Sequence, residues 1–159
     1  MHLAMGQAPV VLGDIEKNLE IMEGLICEAQ RNGEQDIDLI AFPELFITGY
    51  NLRDNYNDVA EKIPGKGKAQ TGICRLAKTY NIHIATGIVE KAGKSLFNSA
   101  ILIGPEGYIG HYRKQFLPNF GPFEEKLFFG EGDNTPVFET PFGKIGIQIC
   151  YDKIGRAHV

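Results

Sequence analysis

The chain has 159 residues, 43% of them hydrophobic, so it is long enough to form one domain with a buried core. Its formal net charge is −4, and no basic run alternates with aromatic residues, so we expect no nucleic-acid partner. No apolar run reaches the roughly 18 to 20 residues that span a bilayer, and we expect no membrane association. Three widely spaced cysteines fit a reducing compartment, which predicts a cytoplasmic protein.

The first half of the chain alternates apolar runs with amphipathic helices. After an apolar run over residues 3–11, Asp14 is placed to cap an amphipathic helix that should end near residues 32–33. Residues 38–42 predict a strand, which Pro43 closes because proline cannot continue a central ladder. A second amphipathic helix is predicted from Ile73, Leu76, Ala77 and Tyr80.

The second half is richer in strands. Residues 82–89, 97–103 and 108–112 predict three strands, of which the last two are joined by a strong turn signal at residues 104–107. Isoleucines alternate with small or polar residues over residues 145–149, which predicts a further strand. This order of elements predicts an α/β domain in which helices cover a mixed sheet.

A glutamate, a lysine and a cysteine each follow one of these predicted strands. Taken singly, Glu44 fits an exposed loop residue, Lys114 a solvated strand end, and Cys150 a buried structural cysteine. Together they are a less ordinary coincidence, because ligands of open α/β sheets bind at the carboxyl ends of strands. We therefore expect the three side chains to cluster at the ends of strands of one layered sheet.

The segments that carry these residues resemble the nitrilase superfamily, also called the carbon–nitrogen hydrolases. The similar segments are Phe42-Pro43-Glu44-Leu45 with Thr48-Gly49-Tyr50, Tyr112-Arg113-Lys114 with Leu117-Pro118, and Ile149-Cys150-Tyr151-Asp152. The resemblance extends from about residue 3 to residue 152. It implies a four-layer α-β-β-α sandwich that is incomplete at its C-terminus.

The resemblance also implies a catalytic triad of Glu44, Lys114 and Cys150 that acts on non-peptide C–N bonds. Cys150 would attack the substrate carbon and form a thioester, with Glu44 as the base. Lys114 and the backbone N–H of Tyr151 would stabilise the oxyanion. In this scheme we expect the nearby ammonium to favour the thiolate of Cys150.

A fourth stretch, residues 122–129, carries two glutamates among phenylalanines. By itself it fits a surface loop with an aromatic patch, but the family's second glutamate maps onto Glu125. Glu125 would hold Lys114 or the substrate amine. Its orientation stays open, because Glu124 is adjacent and Leu127 stands where the family has an arginine.

The implied substrate is a small amide, carbamoyl amine or nitrile, and no metal or organic cofactor has a role. The full-length protein is expected to be a homo-oligomer. One alternative is the glutamine-hydrolysing domain of a glutamine-dependent NAD synthetase, which shares Gly13-Asp14 and Leu117-Pro118-Asn119. Another is a non-catalytic scaffold in which the three motifs are relics.

The last residues do not resemble the family. Residues 154–159 match the in-frame translation of a common sequencing adapter. We therefore expect residues 1–152 to be a partial carbon–nitrogen hydrolase domain and residues 153–159 to be a non-native tail. The chain by itself is expected to be inactive or weakly active.

Overall fold

A computed structural model describes residues 1–32 and 36–155, except for the side chains of residues 32 and 155. Residue 33, at the predicted end of the first helix, and residues 156–159 of the predicted tail lie outside the described residues. None of the helices in the described ranges is long and apolar enough to cross a membrane. The elements are β1 (Leu3–Met5), α1 (Ile15–Asn32), β2 (Leu39–Ala41), a 3-10 turn (Arg53–Asn55), α2 (Tyr56–Val59), α3 (Lys68–Tyr80), β3 (His83–Ala92), β4 (Ser95–Gly104), β5 (Gly107–Arg113), α4 (Glu125–Phe128), β6 (Val137–Thr140), β7 (Gly143–Gly146) and α5 (Asp152–Gly155).

Five strands form a mixed sheet in the order β1-β2-β3-β4-β5. The first three are parallel, and β3, β4 and β5 form an antiparallel meander. Parallel neighbours need a crossover, which α1 supplies between β1 and β2 and α3 supplies between β2 and β3. Gly104 pairs with Gly107 across the predicted turn, so the sequence located this connection correctly.

One face of this sheet is covered by α1 and α3. Asp14 caps α1, since its Oδ1 accepts a hydrogen bond of 3.0 Å from the backbone N–H of Lys17. The two helices and the sheet share one apolar core, whose fully buried members include Met22, Ile26, Ile73, Leu76, Ile84, Ile88, Ile101 and Ile103. The helical spacing seen in the sequence therefore marks the faces that pack on the sheet.

The opposite face of the sheet packs against the β6–β7 hairpin, which is a second, two-stranded sheet. Phe138 and Ile145 are paired across the hairpin and contact the apolar cluster around Leu102. Side chains alternate along a strand, and Val137, on the outer face, is 62% exposed. Helices, first sheet and second sheet thus form successive layers, which confirms the α/β class and corresponds to three layers of the expected α-β-β-α sandwich.

The predicted strand over residues 145–149 is wrong in its extent. β7 ends at Gly146, because its partner β6 begins at Val137, directly opposite, and no described strand continues the ladder beyond that pair. Ile147 and Ile149 still pack inward against the first sheet. Cys150 is therefore presented by a turn after the second sheet, and not by the end of a strand in the same sheet as the other two residues.

Candidate active site

Glu44 lies in the turn after β2, held closely against β3. Leu45, the next residue, adopts a left-handed backbone conformation with φ of 49°. Gly87 of β3 makes this approach possible, because a Cβ atom there would lie 2.0 Å from the backbone nitrogen of Leu45. The carboxylate of Glu44 thus reaches the sheet face that carries the second sheet.

Lys114 follows β5 and is completely buried, so the interpretation as a solvated strand end is wrong. Its ammonium donates to Oε1 of Glu44 at 2.6 Å and to Oε1 of Glu125 at 2.8 Å. Burial alone would favour the neutral amine, but the two carboxylates outweigh it and raise the pKa of Lys114 above its ordinary value. The site therefore holds a fixed positive charge between two carboxylates.

Glu125 is the first residue of α4 and is 3% exposed. Its Oε1 accepts hydrogen bonds from Lys114 and, at 2.6 Å, from the hydroxyl of Tyr50. These two donors orient the carboxylate, while Leu127 is 70% exposed and lies away from the core. Burial raises the pKa of Glu125, and the charge of Glu44 adds to the shift while Lys114 and Tyr50 oppose it. Within the described residues Oε2 has no hydrogen-bond partner.

Asn98 was missed by the sequence analysis. It is fully buried on β4, and its Nδ2 donates to Oε1 of Glu44 at 2.6 Å. The backbone carbonyl of Asn98 also accepts the backbone N–H of Lys114 at 2.9 Å, so Asn98 contacts two of the three triad candidates. The available signal was an asparagine inside an apolar strand, because most buried polar side chains have a hydrogen-bond partner.

Cys150 is exposed, so it is not a buried structural cysteine, whereas Cys27 and Cys74 are half-buried on α1 and α3. Its backbone is left-handed, with φ of 45°, a conformation disfavoured for a residue with a side chain. Partial burial and the charge of Glu44 raise the pKa of the thiol, assisted by a hydrogen bond to Glu44, and they outweigh the opposite effect of Lys114.

The expectation that the ammonium favours a thiolate is therefore correct for the contribution of Lys114, but the net shift of the Cys150 pKa has the opposite direction. Lys114 lowers the pKa of Cys150, yet burial and Glu44 raise it more, so the net shift favours the neutral thiol. A thiol beside a carboxylate can lose its proton to that carboxylate as it attacks.

The remaining surroundings are mostly apolar. A cavity of about 380 Å³ lies between the inner face of the first sheet and the segment after β7, and it reaches Glu44 and Cys150. Tyr151 is half-buried and its ring lies 5.5 Å from that of Phe120, centroid to centroid. Over residues 1–32 and 36–155 there is no cluster of three or more metal-ligating side chains.

Comparisons with known proteins identify the family. A family model described as carbon-nitrogen hydrolase matches residues 2–156. A nitrilase from Pyrococcus abyssi (strain GE5 / Orsay) is 41% identical over 140 residues, which is 86% of this chain and 50% of that protein. The chain spans about half the length of the curated relatives it matches.

Solved structures agree with the sequence relatives. The glutamine-dependent NAD+ synthetase from Acinetobacter baumannii superposes with a TM-score of 0.79 at 30% identity, over 98% of this chain and 28% of that one. Saccharomyces cerevisiae Nit3, of the nitrilase superfamily, gives a TM-score of 0.80 at 22% identity, over 94% of this chain and 55% of that one, and shows the common fold. The chain belongs to the carbon–nitrogen hydrolases of the nitrilase superfamily.

Proposed function

We propose that the protein hydrolyses non-peptide C–N bonds of small amide-type substrates, with Cys150 as nucleophile, Glu44 as base and Lys114 as electrostatic partner. One observation carries the proposal: a buried ammonium is held between Glu44 and Glu125, and the exposed thiol of Cys150 lines the same cavity as Glu44. A buried charge is expensive unless it is paired, so a site that keeps three buried or half-buried charges beside a thiol indicates chemistry.

In the first half-reaction the thiol attacks the carbonyl carbon of the amide. Glu44 takes the proton from Sγ as the C–S bond forms, and it then delivers that proton to the leaving nitrogen. The oxyanion is stabilised by Lys114 and by the backbone N–H of Tyr151, in the position after the nucleophile. Ammonia or an amine departs as the C–N bond breaks, and a thioester remains on Cys150.

In the second half-reaction water attacks the thioester. Glu44 takes a proton from the water and returns it to Sγ, which releases the carboxylic acid and restores the thiol. The buried Oε2 of Glu125 is available to accept an N–H of the substrate amine, since no described residue bonds to it. Neither half-reaction requires a metal or an organic cofactor.

The substrate class is a small amide, carbamoyl amine or nitrile. The relative from Pyrococcus abyssi is named a nitrilase, which supports including nitriles. With a nitrile the same thiol would add across the C≡N bond, and two water molecules in total would be consumed to reach the acid and ammonia.

A second candidate is glutamine hydrolysis as one half of a glutamine-dependent synthetase. The 30% identity to the glutamine-dependent NAD+ synthetase favours it. The full-length gene discriminates between the candidates, because a synthetase carries an ATP-using domain beyond the hydrolase domain. Ammonia release from glutamine, with no release from other amides, would select this alternative.

The test is turnover by the full-length protein on a panel of amides, carbamoyl amines and nitriles, measured as released ammonia. Cys150→Ala should abolish turnover, because no thioester can form. Cys74→Ala is the matched control, since Cys74 is half-buried on α3 and should act only through packing. Full activity of Cys150→Ala would refute the mechanism, and a folded wild-type protein inert on the whole panel would favour the scaffold alternative.

A further inference from the structure

Asp152 is a buried carboxylate that the proposed chemistry does not use. It has no exposed surface, and each of its oxygens accepts two hydrogen bonds. Oδ1 accepts from the backbone N–H groups of Gln115 at 3.1 Å and Phe116 at 2.9 Å. Oδ2 accepts from the hydroxyl of Tyr112 at 2.8 Å and from the backbone N–H of Ile149 at 2.9 Å. Four donors offset the high cost of burying this charge.

The four donors come from two segments that lie far apart in the sequence. Tyr112, Gln115 and Phe116 belong to the end of β5 and the residues that follow it, on either side of Lys114. Ile149 immediately precedes Cys150, and the bond from its N–H closes the turn in which Cys150 lies. The carboxylate of Asp152 therefore bridges the segment that carries the ammonium and the turn that carries the thiol.

The turn needs such a restraint. Cys150 has a left-handed backbone, with φ of 45°. For residues with a side chain this conformation is unfavourable, and it persists only where the surroundings enforce it. The turn is also not part of a strand, because β7 ends at Gly146. Beside the apolar packing of Ile147 and Ile149, the hydrogen bonds of Asp152 tie this irregular segment to the end of β5.

We propose that Asp152 is a positioning residue that holds the thiol of Cys150 in place beside Lys114 and Glu44. It acts through the backbone of residues 149–152 and touches neither the substrate nor the reacting atoms. The inference rests on the proposed function, because the proposed reaction is what requires the thiol at this position. The placement of the thiol itself can be tested without any turnover.

The test compares Asp152→Asn with Tyr112→Phe in the full-length protein. Asparagine keeps the shape, but its NH2 group cannot accept a hydrogen bond, so the variant loses either the bonds from the Gln115 and Phe116 N–H groups or the bond from the Ile149 N–H. A shift of about 1 Å in a reacting group can reduce turnover about 100-fold, and we expect a loss of that order in kcat with a smaller change in KM. Tyr112→Phe removes one donor without changing any charge, so it should give a smaller loss of the same kind.

The decisive readout is the pH dependence of Cys150 alkylation by iodoacetamide. Burial and Glu44 raise the pKa of this thiol, so a displaced thiol should react with a midpoint lower than in the wild type, nearer that of an ordinary cysteine. If Asp152 only stabilised the fold, its substitution would reduce the fraction of protein molecules in which Cys150 is alkylated as the native thiol. The midpoint pH of alkylation would stay unchanged. Tyr108→Phe is the control, because it removes a hydroxyl from the same strand that bonds to His111 instead of Asp152.

An unmoved alkylation midpoint in folded Asp152→Asn would overturn the inference, whatever the kcat of the variant. If that variant does not fold, Tyr112→Phe decides by the same readout. Failure of the proposed function is recognised separately, because Cys150→Ala would then retain turnover whatever the alkylation profile of the Asp152 variant.

Discussion

Arg113 and Lys114 are neighbours in the sequence, yet their side chains enter opposite faces of the first sheet and both meet buried carboxylates. On the helix side, Nε of Arg113 donates to Oε2 of Glu90 at 2.9 Å, and a terminal nitrogen of its guanidinium donates to Oε1. Ser99 donates a further bond to Glu90 at 2.7 Å. The guanidinium also lies over the ring of Phe97, 4.1 Å from its centroid. Both oxygens of Glu90 are therefore satisfied.

The cluster around Lys114 is arranged differently. One ammonium faces two carboxylates, and both of its bonds go to their Oε1 atoms. Oε2 of Glu125 has no partner among the described residues, and an exposed thiol completes the group. A closed ion pair stabilises a fold, whereas an open cluster keeps hydrogen-bonding capacity for a substrate. The comparison teaches that burial of charge alone does not mark a candidate site, whereas an unsatisfied carboxylate oxygen near an exposed thiol supports the proposed one.

The largest expected difference is between Lys114→Met and Arg113→Met. Loss of an oxyanion-stabilising group typically reduces kcat by about 100- to 1000-fold, and we expect Lys114→Met to fall at the upper end. Arg113→Met should retain most of the activity of the full-length protein. It should instead lower the free energy of unfolding by about 2 to 3 kcal/mol, because it leaves Glu90 buried without its cation. Steady-state kinetics and urea unfolding of both variants check this contrast between activity and stability. Equal losses of activity in the two variants would contradict the prediction.

The same two variants, Lys114→Met and Arg113→Met, also differ in the expected reactivity of the Cys150 thiol. Lys114 lowers the pKa of Cys150, so its removal should shift the alkylation profile towards higher pH. Arg113 does not contribute to that pKa, and its removal should leave the profile in place. An unmoved profile in folded Lys114→Met would mean that Lys114 is not the cation beside Cys150.

Glu44→Gln should give a shift of the opposite sign. The charge of Glu44 and its hydrogen bond to the thiol both raise the pKa of Cys150, so the amide should move the alkylation profile towards lower pH. Turnover should nevertheless fall by about 100-fold or more, because glutamine cannot accept the proton in either half-reaction. Oε1 of the glutamine can still accept from Asn98, which preserves the local shape. A variant with easier alkylation and normal turnover would exclude Glu44 as the base.

The sequence was sufficient for features that depend on local pattern. The spacing in α1 and α3, the cap at Asp14 and the turn between β4 and β5 are each specified by neighbouring residues. The contacts of Asn98 and Asp152 were not predictable in this way. They join residues 54 and about 40 positions apart, and which side chains meet depends on strand register and on the packing of two sheets.

The end of β7 illustrates the same limit. Alternation of isoleucines correctly predicted that residues 147 and 149 point inward, because the pattern reports burial. It could not report where the hydrogen-bonded ladder ends, since that depends on the first residue of β6. The interpretation of residues 122–129 as a surface loop failed for a similar reason, because a hydroxyl and an ammonium from distant segments meet Glu125.

The smallest predicted effect concerns Arg113→Lys, which keeps the charge of the closed pair and changes only its geometry. The planar guanidinium donates to both oxygens of Glu90 and stacks on Phe97, while an ammonium cannot do both. Part of the Arg113 side chain is exposed to water, which weakens what the geometry contributes. We therefore expect a loss of about 1 kcal/mol in the free energy of unfolding, measured as a lower urea midpoint with an unchanged slope. Turnover and the alkylation profile of Cys150 should match the wild type, because the helix-side pair does not contact the thiol. A displaced alkylation profile in Arg113→Lys would show that the two faces of β5 are coupled, and the distinction between a structural and a reactive cluster would then have to be abandoned.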